Sequence, residues 1–205
     1  MIALIDYGAG NVRSVHKALE TVGAKVALAS EPGPLLSADK IVLPGVGAFG
    51  DCISSLHRAG LVDALLRAVE RGTPLLGICV GMQVLFEEGE EMGLHVGLGI
   101  LPGRVIRFPD SIVAEGLKIP HTGWNQIAPR GTSPLLENLA DGAWVYFNHA
   151  YTCQARPEHT SAVTDYGGPF PSVVEQGSVY GIQFHPEKSQ QTGLRILRNF
   201  LEGVE

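Results

Sequence analysis

Apolar positions change their period several times along the chain. Ile2 to Tyr7 is a short apolar run, and Val12, Val15, Leu19 and Val22 then recur at helical spacing up to Gly23. The opening therefore reads as a strand followed by a helix over Asn11 to Val22, with further strands at Lys25 to Ala29 and Lys40 to Leu43. Asp51 is placed to cap a helix running to about Glu70, with Ile53, Leu56, Leu61, Leu65 and Val69 inward and Gly72-Thr73-Pro74 as its stop. Leu75-Leu76-Gly77-Ile78 is apolar on both faces, as a central parallel strand needs when helices cover both sides of its sheet. An amphipathic helix carrying Met82, Val84, Leu85 and Phe86 is expected next. Strand and helix alternating in this way predict an α/β fold.

The second half changes character. Arg104 to Phe108, Trp144 to Cys153, Ser161 to Tyr166, Val173 to Glu175 and Val179 to Phe184 read as added, mostly antiparallel strands, with Glu175-Gln176-Gly177-Ser178 as a hairpin turn. A helix from Ser189 to Leu201 closes the chain. No internal repeat, low-complexity stretch or linker interrupts it, so residues 1–205 read as a single domain with one core.

Composition narrows the functional classes. A net charge of −6 without a basic stripe disfavours nucleic acid and anionic membrane, which need Lys and Arg to neutralise phosphates. A small molecule or another protein is the expected partner. The N-terminus has no basic n-region or cleavage site, and the longest uncharged run, Gly72 to Phe86, is too short for a span, so a soluble cytoplasmic protein is expected. Cys52, Cys79 and Cys153 are widely spaced and odd in number, which suits a reducing compartment and argues against a disulfide framework or a structural metal. No metal or cofactor is expected.

Gly77-Ile78-Cys79-Val80-Gly81 has the form of a nucleophile elbow with sulfur in place of oxygen: a sharp strand-to-helix turn whose flanking glycines leave no room for Cβ atoms. A lone cysteine beside an apolar strand is more often a small buried hydrophobe, and these surroundings reverse that preference for Cys79. A helix N-terminus there favours the thiolate. Cys52 and Cys153 lack such surroundings and read as structural. A cysteine hydrolase also needs an imidazole and a group to orient it. His185-Pro186-Glu187 supplies both, because residues i and i+2 of an extended segment point the same way. His16, His57, His95 and His159 show no carboxylate at a helpful offset, and His121 and His149 remain candidate neighbours of the site. For the oxyanion hole, one donor is the Val80 N–H and the other comes from the Pro44-Gly45-Val46-Gly47 loop, through Val46 or Gly47. Asp6-Tyr7-Gly8-Ala9-Gly10-Asn11 lacks the third glycine of a dinucleotide loop, since Arg13 stands there, and no Gly-Lys-Ser/Thr marks a P-loop.

Together with Pro120-His121-Thr122-Gly123-Trp124-Asn125 and His185-Pro186-Glu187-Lys188-Ser189, these segments resemble the class I glutamine amidotransferases over essentially the whole chain, and among them the glutaminase subunits of imidazole glycerol phosphate synthase. That resemblance implies a flavodoxin-like three-layer sandwich with a mostly parallel central sheet and added antiparallel strands. It also implies a Cys79, His185, Glu187 triad that hydrolyses glutamine through a thioester and passes ammonia to a (β/α)8-barrel cyclase in a heterodimer. Gln83, Gly47, Glu91, Ala150 and Tyr151 match substrate-binding positions, and Asn11, Ser14, Trp124, Tyr146 and Lys188 match interface positions. Ala150 and Thr122 depart from the usual residues at their places. Rival readings are another class I glutaminase, such as the small subunit of anthranilate synthase, a catalytically silent module on the same fold, and a cysteine peptidase of related architecture.

Overall fold

The computed structural model describes residues 1–8 and 10–204; Ala9 of the Asp6 to Asn11 segment, and Glu205 at the end of the expected 1–205 domain, lie outside them. In chain order the elements are β1 (Ile2–Ile5), α1 (Val12–Thr21), β2 (Val26–Ala29), α2 (Pro32–Ser37), β3 (Lys40–Gly45), α3 (Phe49–Arg58), α4 (Val62–Glu70), β4 (Leu75–Cys79), α5 (Val80–Gln83), β5 (Phe86–Gly89), β6 (His95–Val96) and β7 (Leu101–Arg107). There follow α6 (Ser111–Ala114), β8 (His121–Gln126), β9 (Ala128–Pro129), β10 (Trp144–His149), β11 (Tyr151–Gln154), β12 (Thr160–Asp165), β13 (Pro169–Gln176), β14 (Val179–Ile182) and α7 (Gln190–Glu202).

The main sheet runs β2-β1-β3-β4-β14-β13-β12-β9. Its first five strands are parallel, and antiparallel pairing begins at β14–β13. The α/β expectation with a mostly parallel centre and added antiparallel strands holds. Every residue of β1, β4 and β14 is buried, which requires cover on both faces of the sheet; α1 packs with α7, and α2 with α4, to supply it. Order 2-1-3-4 places the carboxyl ends of β3, β4 and β14 side by side, where ligands of open α/β sheets bind. Gly177 at φ 58° turns the β13–β14 hairpin, as the turn signal predicts.

Three expectations are corrected. The helix read from Asp51 to Glu70 is two helices, α3 and α4, and Asp51 lies in the first turn of α3 instead of capping it. Gly60 at φ 66° ends α3, with its N–H on the His57 carbonyl at 3.0 Å, the Leu61 N–H on the Leu56 carbonyl at 3.1 Å, and both leucines fully buried. After the elbow the helix lasts one turn, because the carbonyls of Val84 and Leu85 are taken by the N–H groups of Leu98, Ile100 and Leu101, and Phe86 starts a strand. Trp144 to Cys153 is not one strand: β10 pairs with β8 in a separate ribbon while β11 pairs with β7, and the change of sheet falls at Ala150. The short elements α2, β5, β6 and β8 carry no periodic signal long enough to read.

Candidate active site

Cys79 ends β4 at φ 56°, ψ −114°, a strained conformation that a side chain adopts only when its surroundings impose it. Those surroundings are glycines. A Cβ on Gly81 would lie 2.0 Å from the Leu43 carbonyl oxygen, one on Gly77 2.7 Å from the Gly81 carbonyl oxygen, and one on Gly45 2.3 Å from the Gly81 nitrogen. The end of β3 therefore lies directly on the elbow backbone.

Strand β14 stops at Ile182, and His185 and Glu187 follow. Their contact is made differently from the expected extended segment: Pro186–Lys188 is a 3-10 turn, with the Lys188 N–H on the His185 carbonyl at 3.1 Å and the Ser189 N–H on the Pro186 carbonyl at 3.1 Å. The turn still brings His185 Nδ1 to 3.0 Å from Glu187 Oε1, with the two side chains 3% and 1% exposed. Asn11 Nδ2 donates to the same oxygen at 3.2 Å, while Oε2 is buried without a partner among the described residues. Burial works against the imidazolium, but hydrogen bonds and charge from Cys79 and Glu187 outweigh it and raise the His185 pKa to about 9. Burial likewise opposes the Glu187 carboxylate, and the hydrogen bond and charge of His185 hold its pKa below the ordinary value.

Cys79 and His185 face a cavity of about 160 Å³. Val46, Gly47 and Val80 form one wall, with Gly47 at φ 89° opening the loop after β3. Gln83, Glu91, Ala150 and Tyr151 line the rest, joined by Pro120, Asn148 and His149. Glu91 Oε2 accepts the Phe49 N–H at 2.8 Å, which satisfies a free donor at the start of α3. Tyr7, buried under the loop, donates its hydroxyl to the Pro44 carbonyl at 2.8 Å and meets Cys52 Sγ at 3.0 Å. Burial pushes the Cys52 thiol up to about 12 and the Cys153 thiol well above its ordinary value.

The expected interface residues gather near this site. Trp124 and Tyr146 meet edge to face at 6.1 Å, Lys188 Nζ lies 5.5 Å from the Tyr146 ring, and Ser14 shares a surface cleft with Pro186 and Glu187. Asn11 is tied to Glu187 within the chain. His16 also differs from its reading, because Glu20, one turn on, lies 3.4 Å from its Nδ1. Sequence reasoning missed Gln183. It is fully buried, accepts from Gln83 Nε2 at 3.1 Å and aims its own Nε2 at Cys79 Sγ at 3.9 Å. A glutamine inside the apolar run Gly181-Ile182-Gln183-Phe184 was the available signal.

Residues 3–204 match the family described as Glutamine amidotransferase class-I, and the chain belongs to that family. Among curated relatives, the imidazole glycerol phosphate synthase subunit HisH of Syntrophotalea carbinolica is 51% identical, with 98% of both chains covered. The HisH subunit of Salinibacter ruber is 49% identical over 98% of this chain and 93% of its own, and that of Geobacter sulfurreducens 47% over 98% of each. Of solved structures, PurLQS from Thermotoga maritima aligns with a TM-score of 0.77 at 20% identity over 98% of this chain and 97% of its own, which shows the shared fold. No helix among the described residues is long and apolar enough to cross a membrane.

Proposed function

We propose that this chain is the glutaminase subunit of imidazole glycerol phosphate synthase, working in the cytoplasm as one folded domain in a heterodimer with a (β/α)8-barrel cyclase, HisF. The observation that carries the catalytic reading is the strained Cys79 lining the cavity beside an imidazole that Glu187 holds at 3.0 Å and whose pKa Cys79 and Glu187 together raise to about 9.

In this reading the Cys79 thiolate attacks the side-chain amide carbon of glutamine. Negative charge on the carbonyl oxygen is met by the Val80 N–H and by an N–H of Val46 or Gly47. His185 gives its proton to the departing nitrogen, ammonia leaves, and a glutamyl thioester remains. His185 then takes a proton from water, which attacks the thioester to release glutamate and return the thiolate. Glu187 keeps the ring in register and offsets its charge. Gln83 and Glu91 receive the substrate's ammonium end, and the backbone at Ala150 and Tyr151 receives its carboxylate, a task that leaves the missing hydroxyl at Ala150 without consequence. Trp124, Tyr146 and Lys188, with Asn11 and Ser14, form the face that meets the cyclase, where Trp and Tyr are typical anchors. Ammonia then enters imidazole ring formation in histidine biosynthesis.

The test is glutamate release from glutamine by the chain alone and with the cyclase and its ribulosyl ligand. Turnover is expected with the partner; no turnover in either condition rejects the enzyme reading. Cys79→Ala is expected to abolish glutamine-dependent synthesis while the complex still uses ammonium salts.

A further inference from the structure

Two buried histidines, His121 and His149, stand opposite each other on the β8–β10 ribbon, packed among Phe108, Phe147, Tyr166 and Phe170. Aromatic hydrocarbon would fill this space without the cost of desolvating two imidazoles, so the rings need polar work to justify their place. Their hydrogen bonds supply it.

The Tyr151 carbonyl can only accept, so His149 Nδ1 at 2.8 Å and Gln83 Nε2 at 3.1 Å both donate to it. A neutral ring that donates through Nδ1 accepts through Nε2. His121 Nδ1, 3.1 Å from His149 Nε2, must therefore be the donor of that pair, and His121 Nε2 accepts from Asn125 Nδ2 at 3.3 Å. Asn125 cannot turn its amide over, because the same nitrogen donates to the Asp165 carbonyl at 2.9 Å and its oxygen accepts the Gln126 N–H at 2.8 Å. Burial keeps both rings neutral by pulling His121 to about 4 and His149 to about 3. On the far side of the carbonyl, Gln83 gives its other hydrogen to Gln183 Oε1 at 3.1 Å, so both hydrogens of its amide nitrogen are committed and its oxygen is what it can offer a ligand.

We propose that Asn125, His121 and His149 are positioning residues for substrate binding: a one-way hydrogen-bond chain that ends on the Tyr151 carbonyl and presents the Gln83 amide oxygen to the cavity. The assignment rests on the glutaminase reading of the site. His149 also lines the cavity, so its ring fixes the wall as well as the amide.

The test uses the complex of this chain with its cyclase and follows glutamate release against glutamine concentration. His149→Phe keeps the ring's packing but removes the donor, and the glutamine KM is expected to rise about tenfold, the effect of one buried hydrogen bond, with kcat changed less than twofold. His149→Asn, which returns an amide N–H near the place of Nδ1, is expected to recover most of that loss. His121→Phe, one step removed from the cavity, is expected to shift KM in the same direction. An unchanged KM in folded His149→Phe, or equal losses with Phe and Asn, overturns the proposal. Independently of activity, ¹⁵N shifts of the unsubstituted protein at pH 7 are expected to show both rings as the Nδ1–H tautomer; an Nε2–H tautomer in either ring overturns the chain even if the variants fail to fold. Absence of glutamate release from the unsubstituted complex would reject the glutaminase reading and leave the tautomer result to judge the chain.

Discussion

His185 carries the electrostatic logic of the site. Its imidazolium is held between the Cys79 sulfur and the Glu187 carboxylate, and losing the proton removes both attractions at once. If the protonated ring supplies the leaving ammonia's proton, kcat/KM for glutamine is expected to fall above about pH 9; a pH-rate profile of the complex that already falls below pH 8 would contradict this assignment. The elbow glycines, Cys79 and the His185–Glu187 pair were legible in the sequence, because each obeys a steric or spacing rule acting over a few residues. Asn11 on Glu187 was not, since the bond joins positions 176 residues apart. The route to the His185–Glu187 contact was misread as well, because the tight turn at Pro186 replaced the extended geometry.

Among elements, the division of the expected long helix into α3 and α4 follows the same rule that stops α1 at Gly23 and α4 at Gly72, both with positive φ. Gly60 carried that signal in the sequence, but the helical spacing of Leu56, Leu61 and Leu65 ran across it. An alanine at this left-handed position is expected to cost about 1 kcal/mol, measured by urea denaturation of Gly60→Ala, whereas an unbroken helix would be stabilised by the same change. The one-turn α5 failed for the opposite reason. Met82, Leu85 and Phe86 keep a helical period, yet the backbone groups from Val84 to Phe86 find partners in the segment from Leu98 to Leu101 and in β7, and pairing at a distance prevails over local preference. The parallel core strands were readable because burial on both faces leaves a run of apolar residues; the ribbon strand β8, His121–Gln126, buries only His121 and then alternates exposed and half-buried positions, with too few apolar residues to show.

Across the whole molecule, three buried histidines pull stability in opposite directions with pH. His121 and His149 have native pKa values below the ordinary 6.5, so the unfolded chain binds more protons in acid and stability falls as pH drops below 6.5. His185 has a native value near 9, so its contribution is complete below 6.5 and is lost as pH rises through 9. The melting temperature is expected to peak near pH 6.5 and fall on both sides, and His149→Phe is expected to flatten the acid side alone; a Tm unaffected by pH between 4 and 7 would contradict the buried neutral pair. Burial has a further consequence for the thiols. Cys52 and Cys153 are packed away and held protonated, and Cys79 alone of the three opens onto a cavity. Cys79 is thus the one sulfur of the three that the fold sets against this cavity, so a small alkylating reagent is expected to modify a single site per chain, and a ligand filling the cavity would register as protection of that atom.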